Sequence, residues 1–235
     1  MQSTNIIEAK DIEIQYAIAA SDMYHLLSRF LHLPTEDIME GIVDGSLAND
    51  VREIFQELGI DDSKSEEIHS RLQTLQGQTT EKNEYLSALR KEYTRLFTHP
   101  RSPVIDIYET FFLFQPEDGS QDKPALFISP AALDAEHRYK QAGLVRSKDF
   151  NEPGDHMATE LEFMAYLYLH LAKALQEDKR QEITQKKEQI KEFREIHLQK
   201  WGKDFFNRCT SDSQTEIYQV YGLMGSTFLS EMSER

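Results

Sequence analysis

The chain has 235 residues, 39% of them hydrophobic, and its 26 basic and 41 acidic side chains give a formal net charge of −15. That apolar share builds a core and argues against intrinsic disorder. Such a surface repels nucleic acid and anionic lipid and attracts basic peptide, although acidity also serves solubility alone.

In chain order, the first residues hold no basic segment ahead of an uninterrupted apolar run, so they do not read as a secretory signal. Ile12, Tyr16, Ala19, Met23, Leu27 and Phe30 recur at steps of three or four and predict a first helix, stopped by Pro34. Thr35, followed by Glu36 and Asp37, predicts the next helix start. Leu47, Val51, Ile54, Phe55 and Leu58 mark a helix closed by Gly59. Ser63 and Glu66 have capping-box spacing ahead of Ile68, Leu72 and Leu75. Tyr85, Leu89, Tyr93, Leu96 and Phe97 form the face of a helix ending before Pro100. Residues 99–130 carry five of the seven prolines and a knot of aromatics, which predicts a long ordered loop with a helical turn over 108–114. Ser129 and Pro130 then start a helix that ends near Gly143.

Asp155 reads as the cap of a long helix with the stripe Met157, Leu161, Met164, Tyr168, Leu171 and Leu175. A charge-rich helix follows, with Ile183, Ile190, Phe193, His197 and Trp201 on one face. Ser211 and Gln214 fit a last capping box before Ile217, Val220, Met224 and Phe228. With no alternating strand pattern and no repeat, the expected fold is all-α, one globular domain over 1–235 with about nine or ten helices. A possible subdivision into 1–143 and 154–235 places a hinge between them, ahead of a C-terminal hairpin of long helices. No stretch approaches the roughly 18 apolar residues of a membrane span, so a cytoplasmic protein without stable membrane insertion is expected.

The chemistry is thin. A Gly-x-Ser-x-Gly elbow and a phosphate-cradling glycine loop are both missing. The single cysteine, Cys209, excludes an intramolecular disulfide and a cysteine-based zinc motif. His156 and Glu160 stand four apart on one helical face, which is ligand spacing. A ferritin-like centre needs two Glu-x-x-His motifs, and only Glu66 with His69 supplies one; His170 and His197 lack the glutamate. A metal-dependent helical enzyme using His156, Glu160 and Glu66 is therefore the alternative reading. Glu152 and Asp155 flank His156 closely enough for acid–base work, yet both also suit a helix N-terminus. Capping leaves His156 itself without a reason.

Two stretches together are more specific. "EYTRLFTHPRSPVIDIYET" contains Tyr93, Leu96, Phe97, Pro100, Pro103, Tyr108 and Glu109, and "EPGDHMATELEFMAYL" follows from Glu152. In this order they resemble the TorD/DmsD family of cytoplasmic chaperones for molybdenum oxidoreductases, with Trp201 and Phe205 similar to aromatics of the family's penultimate helix. Thr110 stands where the family carries serine, and Pro153 and Gly154 vary its local spacing. The resemblance implies binding, not catalysis, with no cofactor of the chaperone's own. The implied partners are the twin-arginine leader and the apo catalytic subunit of a molybdopterin oxidoreductase, held until cofactor insertion and export. No nucleic acid is expected, and the chain would be a monomer or a dimer by exchange of C-terminal helices. A twin-arginine leader needs carboxylates for its guanidinium groups and an apolar groove for the run that follows. The candidate binding residues are Asp155 and His156 at the centre, with Glu152, Pro153, Tyr108, Glu109, Glu160 and Tyr93 around them; Phe112 and Phe163 are candidate walls. Two roles stand for His156: titration near physiological pH, or fixing the two motifs together.

Overall fold

Segments with a 3.6-residue apolar period fold as helices and bury their stripes against one another. The structure is a computed structural model; it describes residues 2–77, 82–115, 124–145 and 152–233, with side chains from residue 9 onward. The helices are α1 (Gln2–Arg29), α2 (Glu36–Asp44), α3 (Ser46–Leu58), α4 (Asp62–Thr74), α5 (Lys82–Tyr93), the short α6 (Glu109–Phe112), α7 (Pro130–Gln141), α8 (Met157–Gln176), α9 (Arg180–Phe193), α10 (Gln199–Asp212) and α11 (Glu216–Ser233). The described residues contain no strand, only an isolated antiparallel bridge between Tyr108 and His156. The all-α expectation therefore holds.

Helix α8 is the central post. Helix α1 lies along it, α9 packs beside it, and α10 and α11 pair closely. One apolar cluster runs from Ala17 to Met232, so N-terminal and C-terminal helices share a single core. Trp201, Phe205, Phe206, Tyr221 and Phe228 fill it. None of the described helices is long and apolar enough to cross a membrane.

Several boundary signals act as expected. Thr35 caps α2, the Ser129 side chain accepts from the Ala132 amide at 3.1 Å, and Gly59 closes α3 with φ +65°. Others are corrected. The α4 cap is Asp61, which accepts from Ser63 N at 3.0 Å, because it stands just ahead of the first helical residue, Asp62, whereas Ser63 already lies inside the helix. Ser211 lies in the last turn of α10 and caps nothing; ahead of α11 the Glu92 carboxylate accepts from Gln214 N at 2.6 Å. Ile12, assigned to the first core stripe, is 65% exposed and lines an open groove between α1, α8 and α9.

The predicted charge-rich helix is bent out of one piece. Asp178 turns the chain at φ +54° before α9, and a π segment, Arg194–Leu198, joins α9 to α10. A second π segment, Thr94–Thr98, ends α5. The proline-rich loop hooks back onto it through Val104 N to Arg95 O at 3.2 Å and Ile105 N to Leu96 O at 2.9 Å. Residues 146–151 of the predicted hinge lie outside the described residues.

Candidate functional site

The two motif stretches meet as a two-residue ladder. Glu109 N donates to Asp155 O at 3.0 Å, and Met157 N donates to Ile107 O at 2.9 Å. Helices α6 and α8 therefore start side by side, although they lie far apart in sequence.

Asp155 does not cap α8. Its side chain turns back to α6, where one oxygen accepts from Thr110 N at 3.0 Å and from the Thr110 hydroxyl, which itself lies 2.6 Å from the Ser129 hydroxyl. Asp155 is fully buried, and burial pushes its carboxyl up against the opposing pull of the Thr110 bonds. The α8 cap is His156, whose Nδ1 accepts from Ala158 N at 3.1 Å. A helix N-terminus needs an acceptor, and a neutral imidazole nitrogen serves as one. Burial drives the His156 imidazole down to about 4, with Glu152 opposing and His32 adding to the shift. Its ring meets the Tyr108 ring edge-on, with centroids 5.2 Å apart.

On the outer side of the ladder lies a cleft of about 430 Å³, lined by Tyr93, Phe97, Tyr108, Glu152, His156 and His32, among others. The Tyr108 hydroxyl donates to Glu152 Oε2 at 2.5 Å. Burial and that bond push the phenol up, so it remains the donor. The Tyr93 hydroxyl is tied to Leu31 O at 3.1 Å, which fixes the cleft against the end of α1. Pro153 and Gly154 form the turn beneath: Tyr139 donates to Gly154 O at 2.7 Å, and a Cβ at Gly154 would lie 2.7 Å from Ala132 O.

On the inner side lies a buried polar cluster. Glu109 is 3% exposed, Glu160 0% and His197 1%, and one ligand-type atom from each lies within 4.8 Å of the others. His197 Nδ1 lies 2.7 Å from Glu109 Oε2, and its Nε2 lies 3.0 Å from Asp134 Oδ2. Trp201 Nε1 donates to Glu160 Oε2 at 3.2 Å. Burial, reinforced by the Glu109 charge, pushes the Glu160 carboxyl well up.

The expected residues thus divide. Tyr93, Tyr108, Glu152 and His156 share the cleft, and Pro153 lies buried below it. Glu109, Asp155 and Glu160 are buried on the other side of the ladder or within it. Phe112 lies against Trp201, centroids 5.4 Å apart, and Phe163 against Tyr139 and Phe193 at 4.7 and 4.8 Å, so both are core walls. Glu66 is exposed on α4 and does not join His156 and Glu160; among the described residues the one such group of possible metal ligands is Glu109, Glu160 and His197. His32, Asp134 and His197 were not singled out as site residues by pattern. Only His197 left a trace, as a polar residue on an otherwise apolar stripe.

Residues 59–207, more than half of the chain, match the protein-family model described as nitrate reductase delta subunit. The match encloses both motif stretches and the inner cluster. A curated relative, Chaperone protein TorD of Photobacterium profundum, is 29% identical over 119 residues, which cover 46% of this chain and 55% of that protein. The similarity thus spans little more than half of the relative's length.

Proposed function

The chain belongs to the nitrate reductase delta subunit family, in its TorD/DmsD type, and from that premise we propose that it is a maturation chaperone for a molybdopterin oxidoreductase. It binds the twin-arginine leader of the catalytic subunit, and the apo subunit itself, until the cofactor is inserted and export can begin. The role is binding, not catalysis.

The observation that carries this reading is the cleft. It sets one carboxylate, Glu152, among the rings of Tyr93, Phe97 and Tyr108. A guanidinium is planar, pairs with carboxylate through two parallel hydrogen bonds and stacks on aromatic faces; an ammonium does neither as well. The overall charge of −15 speeds encounter with a basic peptide. In this reading Glu152 is the primary acid and Tyr108 orients it. His156, Asp155 and Pro153 shape the cleft, while Glu109 and Glu160 support it from behind.

The test is a calorimetric titration with a synthetic twin-arginine leader and with the same peptide carrying two lysines. Affinity should fall with lysine, and fall again for the arginine peptide when Glu152→Gln replaces the acid. Equal affinity for both peptides, or no binding to leaders from several molybdopterin oxidoreductases, would defeat the reading.

A further inference from the structure

We propose that Glu109, Glu160 and His197 form a binding site for one divalent first-row transition cation where α6, α8 and the π segment ahead of α10 meet. The inference is independent of leader binding and uses none of the cleft residues.

Three observations point the same way. The first is placement: one carboxylate oxygen from each glutamate and one imidazole nitrogen lie within 4.8 Å of one another, all buried. The second is an unsatisfied atom. Glu160 is fully buried, and its Oε1 has no hydrogen-bond partner while it faces His197 Nδ1 at 4.0 Å. Such an atom is costly to leave unpaired, and a cation is one partner that would satisfy it. The third is the outer support. Asp134 Oδ2 holds His197 Nε2 at 3.0 Å and is itself held by Arg138 Nε at 2.7 Å. A carboxylate on the far nitrogen of an imidazole is the usual device for aiming the near nitrogen at a metal. Trp201 does the same for Glu160, engaging Oε2 and leaving Oε1 toward the cluster.

The dimensions fit with small movement. Ligand atoms about 2.0–2.2 Å from a tetrahedral ion stand roughly 3.3 Å apart. The His197–Glu109 contact of 2.7 Å would open and the His197–Glu160 contact of 4.0 Å would close, each by less than the width of an atom. Two oxygens and one imidazole suit zinc, cobalt, iron or manganese; an all-oxygen cage for calcium or magnesium and a thiolate site are both excluded by the donor set. Three protein ligands leave one position open. Glu109 also lines a surface cleft of about 400 Å³ with Thr110, Leu113, Ile128 and Ser129. The π segment is what delivers His197: its wider turn places this side chain between Glu109 and Asp134 within an otherwise α-helical run.

The experiment uses the full chain, stripped with chelator and dialysed against Zn²⁺ or Co²⁺, with bound metal measured by elemental analysis. Trp201 is the sole tryptophan and is bonded to Glu160, so its emission reports the site directly. One equivalent should bind, Co²⁺ should quench Trp201 at that same equivalent, and Glu160→Gln should bind roughly tenfold or more weakly. Glutamine keeps the shape and an acceptor for Trp201, so the variant should fold. Should circular dichroism show otherwise, Asp134→Asn, on a half-exposed residue, takes its place and should weaken binding too. No bound equivalent, binding that leaves Trp201 emission unchanged, or equal affinity in a folded variant would overturn the site.

Discussion

At Thr110 one hydroxyl joins three elements: it donates to Asp155 ahead of α8 and touches Ser129, the cap of α7. Thr110→Val should cost about 1–3 kcal/mol, because the buried Asp155 carboxyl keeps only the Thr110 amide as a donor from α6. A shift of the urea midpoint at unchanged slope measures this; a midpoint equal to wild type would show the contact to be replaceable. His156 makes a pH-dependent prediction. Its folded value of about 4 lies below the ordinary 6.5, so between those pH values the unfolded chain binds a proton that the folded chain refuses. Its contribution is therefore fully present above pH 6.5, is lost as pH falls through the window, and levels off below pH 4, a total of about 3 kcal/mol. His156→Ser keeps a capping oxygen without the imidazole. It should flatten that part of the stability profile, and an unchanged slope between pH 6.5 and 4 would contradict the assignment. The same shift means that, of the two roles read from sequence, titration near physiological pH loses support.

At the scale of elements, the site exists because α6 and α8 begin against one another and α7 closes over the turn between them. Gly154 sets that approach. It needs no unusual backbone angle; it needs the missing Cβ, which would lie 2.7 Å from Ala132 O and 2.8 Å from Glu136 Cγ on α7. Gly154→Ala should push α7 outward at a cost of about 1–3 kcal/mol, seen as a lower melting temperature with helicity retained below the transition. A melting temperature at or above wild type would show α7 to be loosely held. The Pro153–Gly154 pair was legible in the sequence only as a chain break, since nothing local announces a helix that packs against it from well upstream in the chain. The two π segments were equally hidden. A one-residue widening leaves the apolar stripe nearly intact, so Phe97 and His197 looked like ordinary members of α-helical faces.

For the whole molecule, α1 with α8 and α10 with α11 draw residues from both halves into one core. Unfolding should accordingly be one cooperative transition, with circular dichroism and Trp201 emission giving the same midpoint. Two separate midpoints would instead mark 1–143 and 154–235 as independent units. The charge of −15 also acts at this scale. Leader binding should weaken as salt rises past about 0.1 M, where screening acts within about 10 Å, and the loss should fall mainly on the association rate. An affinity indifferent to salt would place the recognition in apolar contacts alone.

The amino-acid sequence by itself determined that this chain is helical, where most helices lie, and which family its two central motifs resemble. Those properties rest on local periodicity, capping chemistry and residue order, all of which a linear string carries. Tertiary structure alone decided which carboxylates face solvent and which are sealed in. Glu152, Asp155, Glu109 and Glu160 look alike as acids near helix starts. The ladder at Tyr108 and His156 sends Glu152 to the cleft, Asp155 to α6, and Glu109 and Glu160 to His197. That sorting depends on packing between segments far apart in the chain, and no spacing along one segment encodes it.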